Sequence, residues 1–172
     1  DKGYYQSDAK DDGGYSLELI NPEVICFDKS NWIASNDSVG GTPGTQNSVY
    51  DISPDVSAPI VSSVDLMSDQ QLKVTFTESM KLTSILSSSF NASNGLQVAN
   101  IQILDVFATE VLINLNTSIT RGIINTLSIS ALKDCEGNTM ANIDLDFYLG
   151  AQPGYHDLII TEIMPTPSPT KG

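Results

Sequence analysis

Four stretches in the middle of the chain alternate apolar and polar residues, and this alternation constrains the fold more than any other feature. "QLKVTF" sets Leu72, Val74 and Phe76 on one side, and "VLINL" does the same with Val111, Ile113 and Leu115. "NTLSIS" supplies Leu127 and Ile129, and "NIDLDFYL" supplies Ile143, Leu145 and Phe147. Successive side chains of a strand point to opposite faces, so each stretch predicts a strand with one face on a core. "IVSSVDL" (60–66) and "LQVANIQIL" (96–104) are further candidates. The segments between them, "MSDQ", "NASNG", "NTSITRG" and "KDCEGN", are rich in turn formers.

No stretch repeats apolar residues at helical spacing, and "ESMKLTSILSSSF" (78–90) has room for one short helical turn. Six or seven short strands within about 90 residues predict an all-β chain built on a β-sandwich. Its expected core is Val64, Leu72, Val74, Phe76, Ile101, Ile103, Val111, Ile113, Leu115, Leu127, Ile129, Leu145 and Phe147.

Before residue 57 the texture differs. "GGYSLELI" reads as a strand behind turn glycines, followed by the loop-rich "NPEVICFDKSNW" and "SNDSVGGTPGTQNS". A stretch so poor in apolar residues is rarely a complete small domain. "YDISPDVSAP" (50–59) reads as a stiff linker, and "GAQPGYH" (150–156) as a second one. After it comes "DLIITEIMPTPSPTKG", an apolar run that reads as a strand and is followed by prolines.

Hydrophobic residues make up 40% of the 172, enough for a packed core. The net charge of −13 excludes nucleic acid and anionic membranes as partners, because both select cationic surfaces. No run of membrane length is present, so no membrane insertion is expected. A chain opening on Asp1, without a signal segment, reads as a mature form or a slice of something longer.

Acidic clusters at 8–12 and 51–55 read as solvated surface; calcium between domains is the sharper alternative. No spacing of the D-x-D-x-D-G kind supports calcium, so neither a metal nor a cofactor is expected. Cys26 and Cys135 lack a C-x-x-C partner, and His156 is the single histidine, which disfavours zinc. His156 falls in a linker and is expected to be an exposed polar residue. Asp134 and Glu136 stand two apart in a turn, where both should face solvent rather than act as acid and base. No catalytic residue is expected.

The central stretch, from Ala58 to about Leu149, resembles a bacterial Ig-like domain of the type found in S-layer and other surface proteins. The resemblance rests on "AP" at the first strand, "LKVTFTESM", and "LKDCEGNTM" before the last strand. Residues 1–49 resemble the second half of a lamin tail domain, through "GGYSLELI", "SNW" (30–32) and "GGTPGTQNS" (40–48). Residues 157–172 resemble the opening strand of another such domain. The expected organisation is a partial lamin tail domain (1–49), a linker (50–57), an Ig-like β-sandwich (58–149), a linker (150–156) and a first lamin-tail strand (157–172).

The resemblance implies a non-catalytic structural or adhesive module of a secreted or cell-surface bacterial protein, located extracellularly, on the cell surface or in the periplasm. The alternative is a carbohydrate-binding accessory module of an extracellular hydrolase; a glycan or protein ligand is not identified. Tyr4, Tyr5, Tyr50 and Tyr155 are the candidate stacking residues. The family keeps Trp32 as part of its fold, which implies a buried position. "DSV" (37–39) and the N-x-S/T sites at Asn36, Asn91 and Asn116 are short enough to arise by chance.

In an Ig-like topology the loop "KDCEGN" lies at the pole where the first strand begins, and the linker enters there. Cys26 would then be in reach of Cys135, and an oxidising location permits a bridge between them. The last strand leaves at the opposite pole, so residues 158–164 are expected to associate with another copy of the chain by strand addition.

Overall fold

The structure, a computed structural model, describes residues 5, 8–24, 29–155, 157 and 159–163. Among the described residues nine strands make up three antiparallel sheets. A two-stranded sheet pairs β1 (Leu17–Leu19) with β2 (Trp32–Ala34), preceded by the single helical turn α1 (Asp8–Asp11). The sandwich comprises β3 (Val61–Ser68), β4 (Gln71–Phe76), β5 (Phe90–Ala92), β6 (Val98–Ile103), β7 (Glu110–Leu115), β8 (Ile124–Ile129) and β9 (Ile143–Tyr148). Its four-stranded sheet runs β3-β4-β7-β6 and its three-stranded sheet β5-β8-β9. Among the described residues no helix is long and apolar enough to cross a membrane.

The alternation read from the sequence carries through to packing. Leu72, Val74, Phe76, Val111, Ile113, Leu115, Leu127, Ile129 and Phe147 are buried in one cluster between the two sheets. Leu112 and Asn114 lie on the other face of β7 and are half-buried, so the expected register holds. Val64, Ile101 and Leu145 pack against this cluster but are half-buried.

Ile103 departs from expectation, at 42% exposed. Four strands face three, so the wider sheet extends past its cover, and both its edge strands, β3 and β6, stay incompletely buried. Register shifts along β3 break its edge ladder, which discourages pairing with other sheets.

Sequence periodicity missed two elements. Strand β5 lies in a stretch read as a helical turn and a loop, with 3₁₀ turns at Leu82–Ser84 and Ser87–Ser89 just ahead of it. Strand β2 follows a 3₁₀ turn at Lys29–Asn31. At three residues each, neither strand is long enough to display an alternation. Loop residues also complete the core: Met80, Leu96, Ala108, Ile119, Leu132 and Met140 are all buried.

The two poles of the sandwich are distinct. At one, Thr77 N–H donates to Ile60 O (3.0 Å), Cys135 N–H to Ser79 O (3.3 Å), and the Asn138 side chain to Asp55 O (3.1 Å). The loop before β9 therefore sits beside the entry to β3, as the topology required. At the other, Gly122 N–H donates to Leu149 O (2.9 Å) and Arg121 to Gly150 O (3.1 Å). Ile159, Ile160 and Ile163 beyond it are exposed and form no strand, in contrast to the buried strand the sequence suggested. Leu158 and Met164 lie outside the described residues.

Candidate functional site

The most concentrated polar chemistry in the amino-terminal part surrounds Glu18, at the centre of β1 and 4% exposed. Thr42 Oγ1 donates to its Oε1 at 2.7 Å; Ser48 N–H and Ser48 Oγ both donate to its Oε2 at 2.7 Å. Burial pushes the Glu18 pKa up, but the bonds from Thr42, Ser48 and Ser35 outweigh it and hold the carboxyl at about 2. Asn47 Nδ2 donates to Leu19 O at 2.9 Å. "GGTPGTQNS" is thus a clip that closes over β1. Gly40 belongs to the same clip: its φ is +91°, and a Cβ there would stand 1.9 Å from Gly14 O.

Asn31, in "SNW", clamps the loop that precedes β2. Its Oδ1 accepts from Asn21 N–H at 2.8 Å, and its Nδ2 donates to Asn21 O at 2.7 Å. Trp32 beside it is half-buried rather than fully buried, because the two-stranded sheet has no second layer comparable to the sandwich.

Asp134 corrects the sequence expectation more sharply. It is 2% exposed, while Glu136 faces solvent. Its Oδ1 accepts from Gly137 N–H (2.6 Å) and Asn138 N–H (2.7 Å), and its Oδ2 from Asn138 Nδ2 (2.8 Å). A carboxylate that caps its own turn is buried with its partners, whereas sequence spacing alone suggested a solvated pair.

A cavity of about 390 Å³ opens between the amino-terminal part and this pole. Five carboxylates line it, from Asp51, Asp55, Glu78, Asp134 and Glu136, together with Asn21, Asn31 and Cys135. Asp55, Glu78 and Asp134 each place one carboxylate oxygen within 4.8 Å of the others, a donor set suited to a hard cation. Two of the three have established structural work: Asp134 organises its turn, and Asp55 Oδ1 accepts from Ser57 N–H at 2.8 Å. Asp51 behaves similarly, with the Ser53 hydroxyl and N–H holding its carboxyl below the usual range. The trio escaped the sequence because its members come from a linker, the bend after β4 and the loop before β9. Proximity across such separations leaves no local signal.

Among the aromatic candidates, Tyr155 is 93% and Tyr50 41% exposed, Tyr5 is half-buried, and Tyr4 lies outside the described residues. Among the described residues no aromatic side chain lines the acidic cavity or the second pocket, of about 370 Å³, between Lys81 and Lys133. His156 and Cys26 lie outside the described residues, and Cys135 is not a free thiol.

No family model matches the chain, and no curated protein matches it. Solved structures do. The N-terminal part of the bacterial S-layer protein SbsC matches at TM-score 0.51 and 21% identity, over 55% of this chain and 24% of that one. A longer SbsC fragment, residues 31–844, and a structure of SbsC domains 1–6 match at the same TM-score and identity, each over 14% of its length. The chain therefore spans a quarter or less of the surface-layer chains it matches. At this identity the likeness is one of fold: an all-β sandwich shared with segments of S-layer proteins.

Proposed function

We propose that this chain is a non-catalytic structural module of a bacterial cell-surface protein, serving as a spacer or adhesive surface. The observation that carries the reading is the strand order. β3-β4-β7-β6 facing β5-β8-β9 reproduces the A-B-E-D and C-F-G sheets of a seven-stranded immunoglobulin-like domain. The fold likeness to SbsC segments supports placing such a domain in a surface protein.

The chemistry of the buried groups supports a structural role as well. Glu18 is held by bonds that shape its loop, and Asn31 and Asp134, which border the acidic cavity, are each held by bonds that shape their own turns. On this reading residues 58–149 are the Ig-like domain, 1–49 and 157–172 are lamin-tail segments, and 50–57 and 150–156 are linkers. On the same reading Cys26 pairs with Cys135, a bridge suited to an oxidising surface location.

Protease shaving of intact cells that make the parent protein tests the location. Peptides from this chain should be released without lysis; their appearance only after lysis would overturn the proposal. A glycan array with the isolated chain separates spacer from carbohydrate binder: no specific signal is expected, and saturable binding of one glycan class would favour the accessory-module reading.

A further inference from the structure

The chain sorts its charge between two concavities. Carboxylates crowd the cavity beside the linker, whereas the pocket of about 370 Å³ at Lys81 and Lys133 has two ammonium groups and, among the described residues, no carboxylate in its lining. In a chain with 21 acidic residues against 8 basic ones, a pocket that gathers cations alone runs against composition.

The local fold forces the two lysines together. Met80 bridges Asp134 in antiparallel fashion, flanked by bonds from Lys81 N–H to Lys133 O (2.9 Å) and from Cys135 N–H to Ser79 O (3.3 Å). Lys81 therefore stands directly opposite Lys133. Met80 and Asp134 are buried, so the two lysine side chains share the outward face. Like charges placed opposite one another destabilise such a pairing.

Other cations of the chain are engaged. Lys10 Nζ donates to Ser35 O and Asn36 Oδ1, Lys73 pairs with Glu110 at 2.9 Å, and Arg121 donates to Gly150 O. Among the described residues neither Lys81 nor Lys133 has a hydrogen-bonded or ionic partner for its ammonium group.

The walls of the pocket are fixed by the backbone. Ser84 Oγ donates to Lys81 O (2.7 Å) and accepts from Lys133 N–H (3.1 Å), and Ser130 N–H donates to Ser89 O (3.0 Å). Ala131, also in the lining, holds a φ of +59°, a conformation that persists for a residue with a Cβ only where its surroundings impose it. Thr83 and Ser88 bring hydroxyls, and Leu86, 54% exposed, brings an apolar surface.

We propose that this pocket binds the phosphate group of a small organic phosphate. A phosphate monoester carries about 1.5–2 negative charges at pH 7, which matches two ammonium groups. A single carboxylate would leave one lysine unmatched. Lys81 and Lys133 make charge-assisted bonds to the phosphate oxygens, the Thr83 and Ser88 hydroxyls donate to those that remain, and the ester portion lies against Leu86. Polyanions stay excluded by the net charge of −13, whereas a small anion meets the two lysines within a screening length of about 8 Å.

Amide shifts of the full, isotope-labelled chain during titration with glycerol 3-phosphate test this. Saturable shifts confined to 81–89 and 130–133 are expected, with a Kd of about 1 mM. Lys81→Met and Lys133→Met should each weaken binding about tenfold or more. Both lysines are exposed, so the melting of the sandwich should not change. Lys73→Met, which removes a lysine already paired with Glu110, should leave binding as it was. Inorganic phosphate should bind more weakly than the ester; equal binding would assign the site to free phosphate and overturn the organic ligand. Shifts that fail to saturate, shifts centred elsewhere, or the same loss in the Lys73 variant would overturn the site itself.

Discussion

The Ser48 hydroxyl donates to Glu18 Oε2 at 2.7 Å, tying the end of a glycine-rich loop to the middle of a strand 30 residues earlier. With Thr42 it keeps the Glu18 carboxyl at about 2, against an ordinary value of 4.5. A depressed folded-state pKa contributes stability that is fully present above the unfolded value and lost as pH falls through the folded one. The β1–β2 sheet should therefore loosen between about pH 4.5 and about pH 2. Trp32, the single tryptophan, pairs with Leu19 and reports on this sheet by fluorescence. Glu18→Gln should lower stability at neutral pH and flatten the acid dependence; an unchanged acid midpoint would show that another group dominates.

Gly40→Ala should destabilise the same sheet by more than about 1 kcal/mol, because a positive φ and a clash with backbone both oppose a side chain. Urea titrations followed by Trp32 fluorescence measure it. A midpoint within error of the parent would mean that the clip opens at little cost.

Asp134→Ala leaves the Gly137 and Asn138 N–H groups without their acceptor, at a cost of about 1–3 kcal/mol. Asn138→Ala should cost less, near 1 kcal/mol, and release the linker at Asp55. Faster hydrogen exchange across 55–60 in the Asn138 variant, with β8 unaffected, is the expected signature.

In the core, Leu127→Ala should cost about 2–5 kcal/mol, since the side chain is fully buried between the sheets. Ile103→Ala, at the uncovered edge of β6, should cost far less. Paired thermal melts decide this, and equal losses would contradict the four-over-three packing.

The proposed Cys26–Cys135 bridge predicts an intact mass two hydrogens below that of the dithiol form under non-reducing conditions. Reduction should then destabilise the fold by about 2–4 kcal/mol, because the bond closes a long loop in the unfolded chain. Free thiols titrating in the native, non-reduced chain would remove the bridge from the account.

Much of the sandwich was legible because strand alternation is a local pattern. Gln71–Phe76 emerges with the boundaries that its alternating residues suggested, and the buried set 111, 113 and 115 follows from the same period. Turn chemistry was equally local: Asn94 and Gly95, inside "NASNG", both adopt positive φ between β5 and β6. What sequence alone left open was every relationship between distant segments. The order of strands across the two sheets decided that Ile103 lies past the covered area while Leu132 and Met140, in loops, complete the core. Folding also turned "GGTPGTQNS" into a clip on Glu18, buried Asp134 within its own turn, and brought Asp55 and Glu78 to its side. The physical reason is range. Side-chain direction along a strand is set by neighbouring dihedrals, whereas burial of a carboxylate depends on partners that only the closed fold brings within hydrogen-bonding distance.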